Sequence, residues 1–202
     1  MEKQPLREEL LAYVRRLSDS GWVVGTSGNM SVRDPQDGSF LITPSGVDYQ
    51  AMRPEDLFLF YPDGGMVPGL GRPTSSLAFH KALMEARSDC MAIVHTHAIH
   101  GTAASLITNE VPMVTLPCAL YLNGPICVSA YAQNGSAQEA FNIVNAFGRK
   151  RNAVLMQNHG VASMGASLEE AWRNMAYAEE CCRIWLLAAS TGMPITAIEA
   201  DE

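Results

Sequence analysis

Met91-Ala-Ile-Val-His-Thr-His-Ala-Ile-His100 is the stretch that decides how the rest of this sequence is read. Met91 to Val94 is a short apolar run rich in branched residues, which predicts a buried strand. Residues two apart along a strand point to the same face, so His95 and His97 are expected to aim two imidazoles at one point. The small residues Gly101-Thr-Ala-Ala-Ser105 follow at once, as in a helix packed closely against a sheet. A histidine pair alone is as compatible with satisfied, half-buried side chains as with ligands. A third histidine tips that balance. Ala153-Val-Leu-Met156 is a second short apolar run, and Gln157-Asn-His-Gly160 ends it with a turn signal, which places His159 at a strand mouth. Three neutral imidazoles leave a fourth position open on a tetrahedral Zn²⁺, the arrangement of a catalytic rather than a structural zinc site.

Working outward, 202 residues with 48% hydrophobic and 17% charged side chains describe a globular chain able to bury a full core, expected to be one domain over 1–202. No apolar run approaches the roughly 20 residues that span a bilayer, and the charged opening Met1-Glu-Lys-Gln-Pro-Leu-Arg-Glu-Glu9 does not read as a signal peptide. A net charge of -7, with no basic cluster beyond Arg149-Lys-Arg151, argues against nucleic-acid binding. Five cysteines (Cys90, Cys118, Cys127, Cys181 and Cys182) without a CxxC pair are expected to be reduced thiols in a cytoplasmic protein. Cys181 and Cys182 fall in a helical pattern and are expected to be packing residues.

Leu6, Leu10, Val14 and Leu17 recur at helical spacing, which predicts an opening amphipathic helix. Three strands separated by turn residues follow, through Arg33, over Ser39–Thr43 and over Leu57–Tyr61, and predict an antiparallel meander. Thr74 or Ser75 is the expected N-cap of a helix running to about Arg87. Beyond the His95/His97 strand come a helix from about Ile99 to Leu106 and a loop-rich stretch over 109–135 with a short strand at Ile126–Ser129. Ser136 is the expected cap of a helix to about Phe147. Val161–Met164 reads as a returning strand, and Ser167-Leu-Glu-Glu170 as a capping box opening a long helix to about Ser190.

Five motifs together resemble the class II aldolase/adducin N-terminal family over about residues 6–190. They are Gly25-Thr-Ser-Gly-Asn-Met-Ser-Val-Arg33, Ile42-Thr-Pro-Ser-Gly46, Pro73-Thr-Ser-Ser76 ahead of Phe79-His80, His95-Thr-His97, and Gln157-Asn-His-Gly160. The resemblance implies an α/β/α sandwich on a mainly antiparallel sheet, and a homotetramer with active sites between subunits. It implies one metal per chain, Zn²⁺ or else Mn²⁺ or Co²⁺, on His95, His97 and His159. It implies a small phosphorylated sugar as substrate, its phosphate held at Gly28, Asn29, Ser45, Gly46, Thr74 and Ser75. Glycine turns and helix N-termini do cradle anions with backbone N–H groups, although the same residues also serve as plain turns and caps.

The sequence departs from that family at two positions. The family's aldolases carry an acid/base glutamate where this chain has Ser76, and their proton-donor tyrosine position falls on Leu116, leaving Tyr121 as the candidate donor. The resemblance implies a lyase that breaks a carbon–carbon bond beside a ketone through a metal-stabilised enediolate. Aldol cleavage also needs a base, worth about 10²–10⁴-fold in rate, whereas loss of CO₂ from a phosphorylated 3-oxo sugar acid reaches the same enediolate without one. A decarboxylase or a sugar-phosphate dehydratase is therefore the alternative on this scaffold. A non-catalytic assembly module like the head of adducin is the alternative of another class, against which the three retained histidines argue.

Overall fold

The computed structural model describes residues 1–199; the final three residues of the expected 1–202 domain lie outside the described residues. Helix α1 (Gln4–Asp19) opens the chain, with a proline in its first turn and Leu10, Leu11, Val14 and Leu17 buried, as the spacing predicts. Strands β1 (Asn29–Arg33), β2 (Phe40–Ile42) and β3 (Phe58–Phe60) form the expected antiparallel meander. It ends in β4 (Met66–Val67), two exposed residues with no apolar period to announce them. Then come α2 (Leu77–Ala86), β5 (Ala92–Thr96), α3 (Ile99–Ala104), β6 (Glu110–Val111), α4 (Leu116–Tyr121), β7 (Ile126–Ser129), α5 (Ala137–Phe147), β8 (Ala153–Met156), β9 (Gly160–Gly165) and α6 (Leu168–Ala189).

The strands form one sheet in the order β4-β3-β2-β1-β5-β9-β8-β7-β6. Every neighbouring pair is antiparallel except β7 and β8. Alternate strand residues feed two cores. Leu41, Leu59, Val94, Leu155 and Val161 pack towards α1 and α6, while Ile42, Phe58, Ile93, Val154 and Ala162 pack towards α2 and α5. The result is the expected α/β/α sandwich. Both faces of the central strands are buried, which is why they read as unbroken apolar runs. Each fully buried Leu, Ile or Phe contributes about 1.5–3 kcal/mol. The central strands are therefore rigid mounts for whatever their ends carry.

Three local details differ from expectation. The 109–135 stretch holds α4 and β6. Pro117 falls in the first turn of α4, where a missing N–H costs nothing, and Thr115 Oγ1 caps the helix by accepting from Cys118 N at 3.3 Å. The cap of α2 is Ser76, not Thr74 or Ser75; Thr74 Oγ1 instead accepts from Ser76 N at 3.3 Å. At α6, Ser167 Oγ accepts from Glu170 N as a capping box requires, but the Glu170 carboxylate returns to Ala166 N, one residue earlier. Cys181 and Cys182 are both buried on α6, as packing residues should be.

Candidate active site

His95 is the fourth residue of β5, flanked across the sheet by Asn29 of β1 and Ala162 of β9. Its alternation puts it on the α2/α5 face, where the Phe79 ring meets it edge-on at 5.8 Å. His97 lies one residue past the end of β5. His159 sits in the turn between β8 and β9, closed by its own N–H donating to Met156 O at 3.0 Å. Gly160 allows that turn to pass β5, since a Cβ there would lie 2.1 Å from Thr96 O. The three rings converge, with centroids 5.2 Å (His95–His97), 4.8 Å (His95–His159) and 5.1 Å (His97–His159) apart. Their ligand atoms all lie within 4.8 Å of one another.

His95 Nδ1 is 3.0 Å from Val161 O. A carbonyl only accepts, so Nδ1 carries the proton and Nε2 holds a lone pair. That Nε2 is buried without a partner, an arrangement costing about 1–3 kcal/mol unless something satisfies it. Burial, reinforced by His159 and His97, holds His95 well below the ordinary imidazole range; burial and then His159 lower His97 as well. His159 Nδ1 donates to Glu139 Oε1 at 3.2 Å, which leaves Nε2 as the ring nitrogen outside that bond. Three converging imidazoles, with the His95 Nε2 orphaned in the interior, fit a divalent metal.

Beside the histidines is a cavity of about 110 Å³, walled by the turns over 26–29, 44–46 and 74–76, with Asn134 at its edge. All six residues matched to the phosphate positions line it: Gly28, Asn29, Ser45, Gly46, Thr74 and Ser75. Two backbone bonds hold the second and third turns side by side, Ser45 N to Arg72 O at 2.9 Å and Thr74 N to Thr43 O at 3.2 Å. Tyr49 fastens the first from behind, its hydroxyl donating to Gly28 O at 2.6 Å. Gly28 has φ +80°, and a Cβ there would lie 2.7 Å from His95 O, so only glycine lets this turn approach the histidine strand.

Ser76 lines the same cavity, 2% exposed at the head of α2. Tyr121 does not. It closes α4, with its ring stacked on Tyr177 at 5.2 Å and the Arg173 guanidinium 4.6 Å from its centroid. Leu116, at the other end of α4, is exposed. Within one chain, therefore, Tyr121 is not among the residues that line the histidine cavity.

Three contributors escape the sequence reading: Glu139, Asn134 and His80. The fully buried His80 is pushed down to about 3 by burial and stays neutral. Its Nε2 donates to Asn29 Oδ1 at 2.6 Å, and its Nδ1 accepts from Ser31 Oγ at 2.7 Å. With its oxygen engaged, Asn29 has its NH₂ left for the cavity. Phe79-His80 was visible as part of a motif, but its partners lie about 50 residues away in β1.

The fold is that of the class II aldolases. A solved L-fuculose 1-phosphate aldolase superposes with a TM-score of 0.91 at 29% identity, covering 98% of this chain and 93% of that one. The profile of the Class II Aldolase and Adducin N-terminal domain matches residues 8–186, and the chain belongs to that family. It is 31% identical over 192 residues to a 5-deoxy-D-ribulose 1-phosphate aldolase of Bacillus thuringiensis, with 95% of this chain and 89% of the relative covered. It is 34% identical over 171 residues to a 5-methylthioribulose-1-phosphate/5-deoxyribulose-1-phosphate aldolase of Escherichia coli, with 84% and 78% covered.

Proposed function

We propose that this chain is a metal-dependent carbon–carbon lyase acting on a phosphorylated ketose. The observation that carries the reading is the orphaned His95 Nε2 among three converging imidazoles, next to a cavity walled by hydroxyl- and glycine-bearing turns. The aldolases of 1-phosphorylated ketoses among its relatives support the substrate class. His95, His97 and His159 would hold one divalent ion per chain, Zn²⁺ or else Mn²⁺ or Co²⁺. Such an ion polarises the substrate's ketone and takes up the charge that develops as the neighbouring bond breaks. The residues do the rest. Asn29, Ser45, Thr74 and Ser75 bind the phosphate with side-chain and backbone donors, and Gly28 and Gly46 let the backbone approach it. Binding there orients the ketone end towards the histidines.

A second reading is favoured by Ser76. A serine hydroxyl is protonated near neutral pH and makes a poor base. With no carboxylate at the head of α2, a substrate carboxylate meets no repulsion there. Decarboxylation of a phosphorylated 3-oxo sugar acid, or dehydration of a sugar phosphate, then becomes the competing reaction. An adducin-like assembly role has no use for an unsatisfied buried imidazole. We read residues 1–202 as one domain that works in the cytoplasm as a homotetramer, with the exposed Leu116, Leu120 and Tyr121 of α4 meeting a neighbouring subunit. Tyr121 would then serve as proton donor in trans. No described helix is long and apolar enough to cross a membrane.

The test is to assay metal-loaded protein against ketose 1-phosphates and 3-oxo-4-phospho acids, with His159→Ala as control. Turnover of one class, lost in the variant, is expected; turnover of neither would overturn the lyase reading. Light scattering that gave a monomer at micromolar concentration would remove Tyr121 as a donor.

A further inference from the structure

Glu139 is the one carboxylate hydrogen-bonded to any of the three histidines among the described residues. It is the third residue of α5 and is 5% exposed. Each of its oxygens accepts from one N–H. Oε1 accepts from His159 Nδ1 at 3.2 Å, and Oε2 accepts from Gly135 N at 2.7 Å. The second bond fixes the loop that leans on the cavity wall. Gly135, at φ +78°, would place a Cβ 2.9 Å from Ser75 O, and Asn134 Nδ2 donates to Ser75 Oγ at 3.2 Å. One buried carboxylate thus ties His159 to the turn that carries Ser75.

A glutamate three residues after Ser136 also reads as a helix cap, and Ser136 Oγ does accept from Glu139 N at 3.1 Å. Glu170, three residues after Ser167, separates the two roles. It makes the same backbone bond, Oε2 accepting from Ala166 N at 3.0 Å, yet touches no histidine. Capping therefore needs only one carboxylate oxygen, and at Glu139 the other is free for His159. His95 is held through its Nδ1 by a neutral backbone carbonyl; His159 alone is held by a carboxylate.

We propose that Glu139 is a positioning residue for the metal centre. It holds His159 as the Nδ1–H tautomer, with Nε2 free to ligate, and supplies from α5 the negative charge that Ser76 does not supply from α2. This rests on the metal reading above. A carboxylate behind a ligating histidine orients the ring and raises its basicity, and losing such a partner costs roughly 10–100-fold in metal affinity. Glutamine has one acceptor oxygen instead of two. In Glu139→Gln, either Gly135 N–H loses its acceptor or an NH₂ faces His159 Nδ1, which drives the ring proton onto Nε2, where it blocks ligation.

The experiment titrates metal-stripped protein with Zn²⁺ against a chelator of known affinity, and with Co²⁺ followed by its visible absorption. Glu139→Gln is expected to bind Zn²⁺ roughly 10–100-fold more weakly, with an altered Co²⁺ spectrum, while its metal-free unfolding stays near wild type. Glu170→Gln, which neutralises the same kind of capping carboxylate far from the histidines, should bind as wild type. If Glu139→Gln folds poorly, Glu139→Asp decides, since it keeps the charge and should retain more affinity than Gln. Wild-type affinity in Glu139→Gln, or equal losses in the Gln and Asp variants, would overturn the assignment. Wild-type protein that bound no Zn²⁺ would instead overturn the metal reading itself.

Discussion

Asn29 and His95 stand directly opposite each other across β1 and β5, so the amide at the cavity wall and the innermost of the three imidazoles ride on one antiparallel ladder. His80 fixes that amide from behind by donating to its oxygen at 2.6 Å. Asn29→Ala should therefore raise KM for a phosphorylated substrate more than it lowers kcat. A hydrogen bond to a charged group is worth about 1.5–3 kcal/mol, or about 10–150-fold. Steady-state kinetics check this; an unchanged KM would remove Asn29 from the substrate site.

His80 also predicts a pH dependence of stability. Its folded value is about 3, against about 6.5 in an unfolded chain. Between those values the unfolded state binds the extra proton. The contribution of neutral His80 is therefore complete above about pH 6.5 and is lost as pH falls. The slope from this one group is about 1.4 kcal/mol per pH unit. Denaturant unfolding of metal-free protein across that window should show a shallower slope for His80→Gln than for wild type; equal slopes would contradict the assignment.

Gly160→Ala should be costly. The added Cβ would lie 2.1 Å from Thr96 O and 3.3 Å from the His97 Cα, so either β5 or the His159 turn must shift. A loss of about 2–4 kcal/mol is expected, at the upper end of ordinary substitutions. It would appear as a lower denaturant midpoint together with weaker metal binding. Unchanged stability would mean that the two strand ends are less tightly apposed than the structure has them.

Much of this arrangement was legible from sequence, and for physical reasons. Branched apolar runs such as Ala92–Val94 and Ala153–Met156 can satisfy a buried strand and little else at that length, and they carried the histidines with them. Turn residues bounded β1, β2 and β3 clearly enough to give the meander. What escaped depended on contacts distant in sequence or on residues with two uses. Pro117 read as a loop signal but opens α4. Glu139 read as nothing beyond a position inside a helix, although its second oxygen meets a histidine 20 residues on. Tyr121 lies near Leu116 in sequence, a proximity that says nothing about which face of α4 it occupies; its ring packs on Tyr177 and Arg173.

Ser76 tests how the chemistry is divided. It heads α2 at the cavity and offers a hydroxyl there rather than a carboxylate. Ser76→Ala should lower kcat/KM only by the worth of one hydrogen bond, about 0.5–1.5 kcal/mol. Ser76→Glu should tighten metal retention and shift turnover towards aldol cleavage. A loss of several orders of magnitude in Ser76→Ala would make the serine a participant in the reaction.

The most direct test of the central claim is the metal content of purified protein, wild type beside His159→Ala. Three histidines whose ligand atoms lie within 4.8 Å of one another, one with a buried Nε2 lacking any partner, should retain close to one divalent ion per chain through dialysis. Removing the ligand on the β8–β9 turn should strip most of it. An ion retained at undiminished occupancy in His159→Ala, or wild-type protein that holds none after reconstitution with Zn²⁺, Mn²⁺ or Co²⁺, would contradict the account.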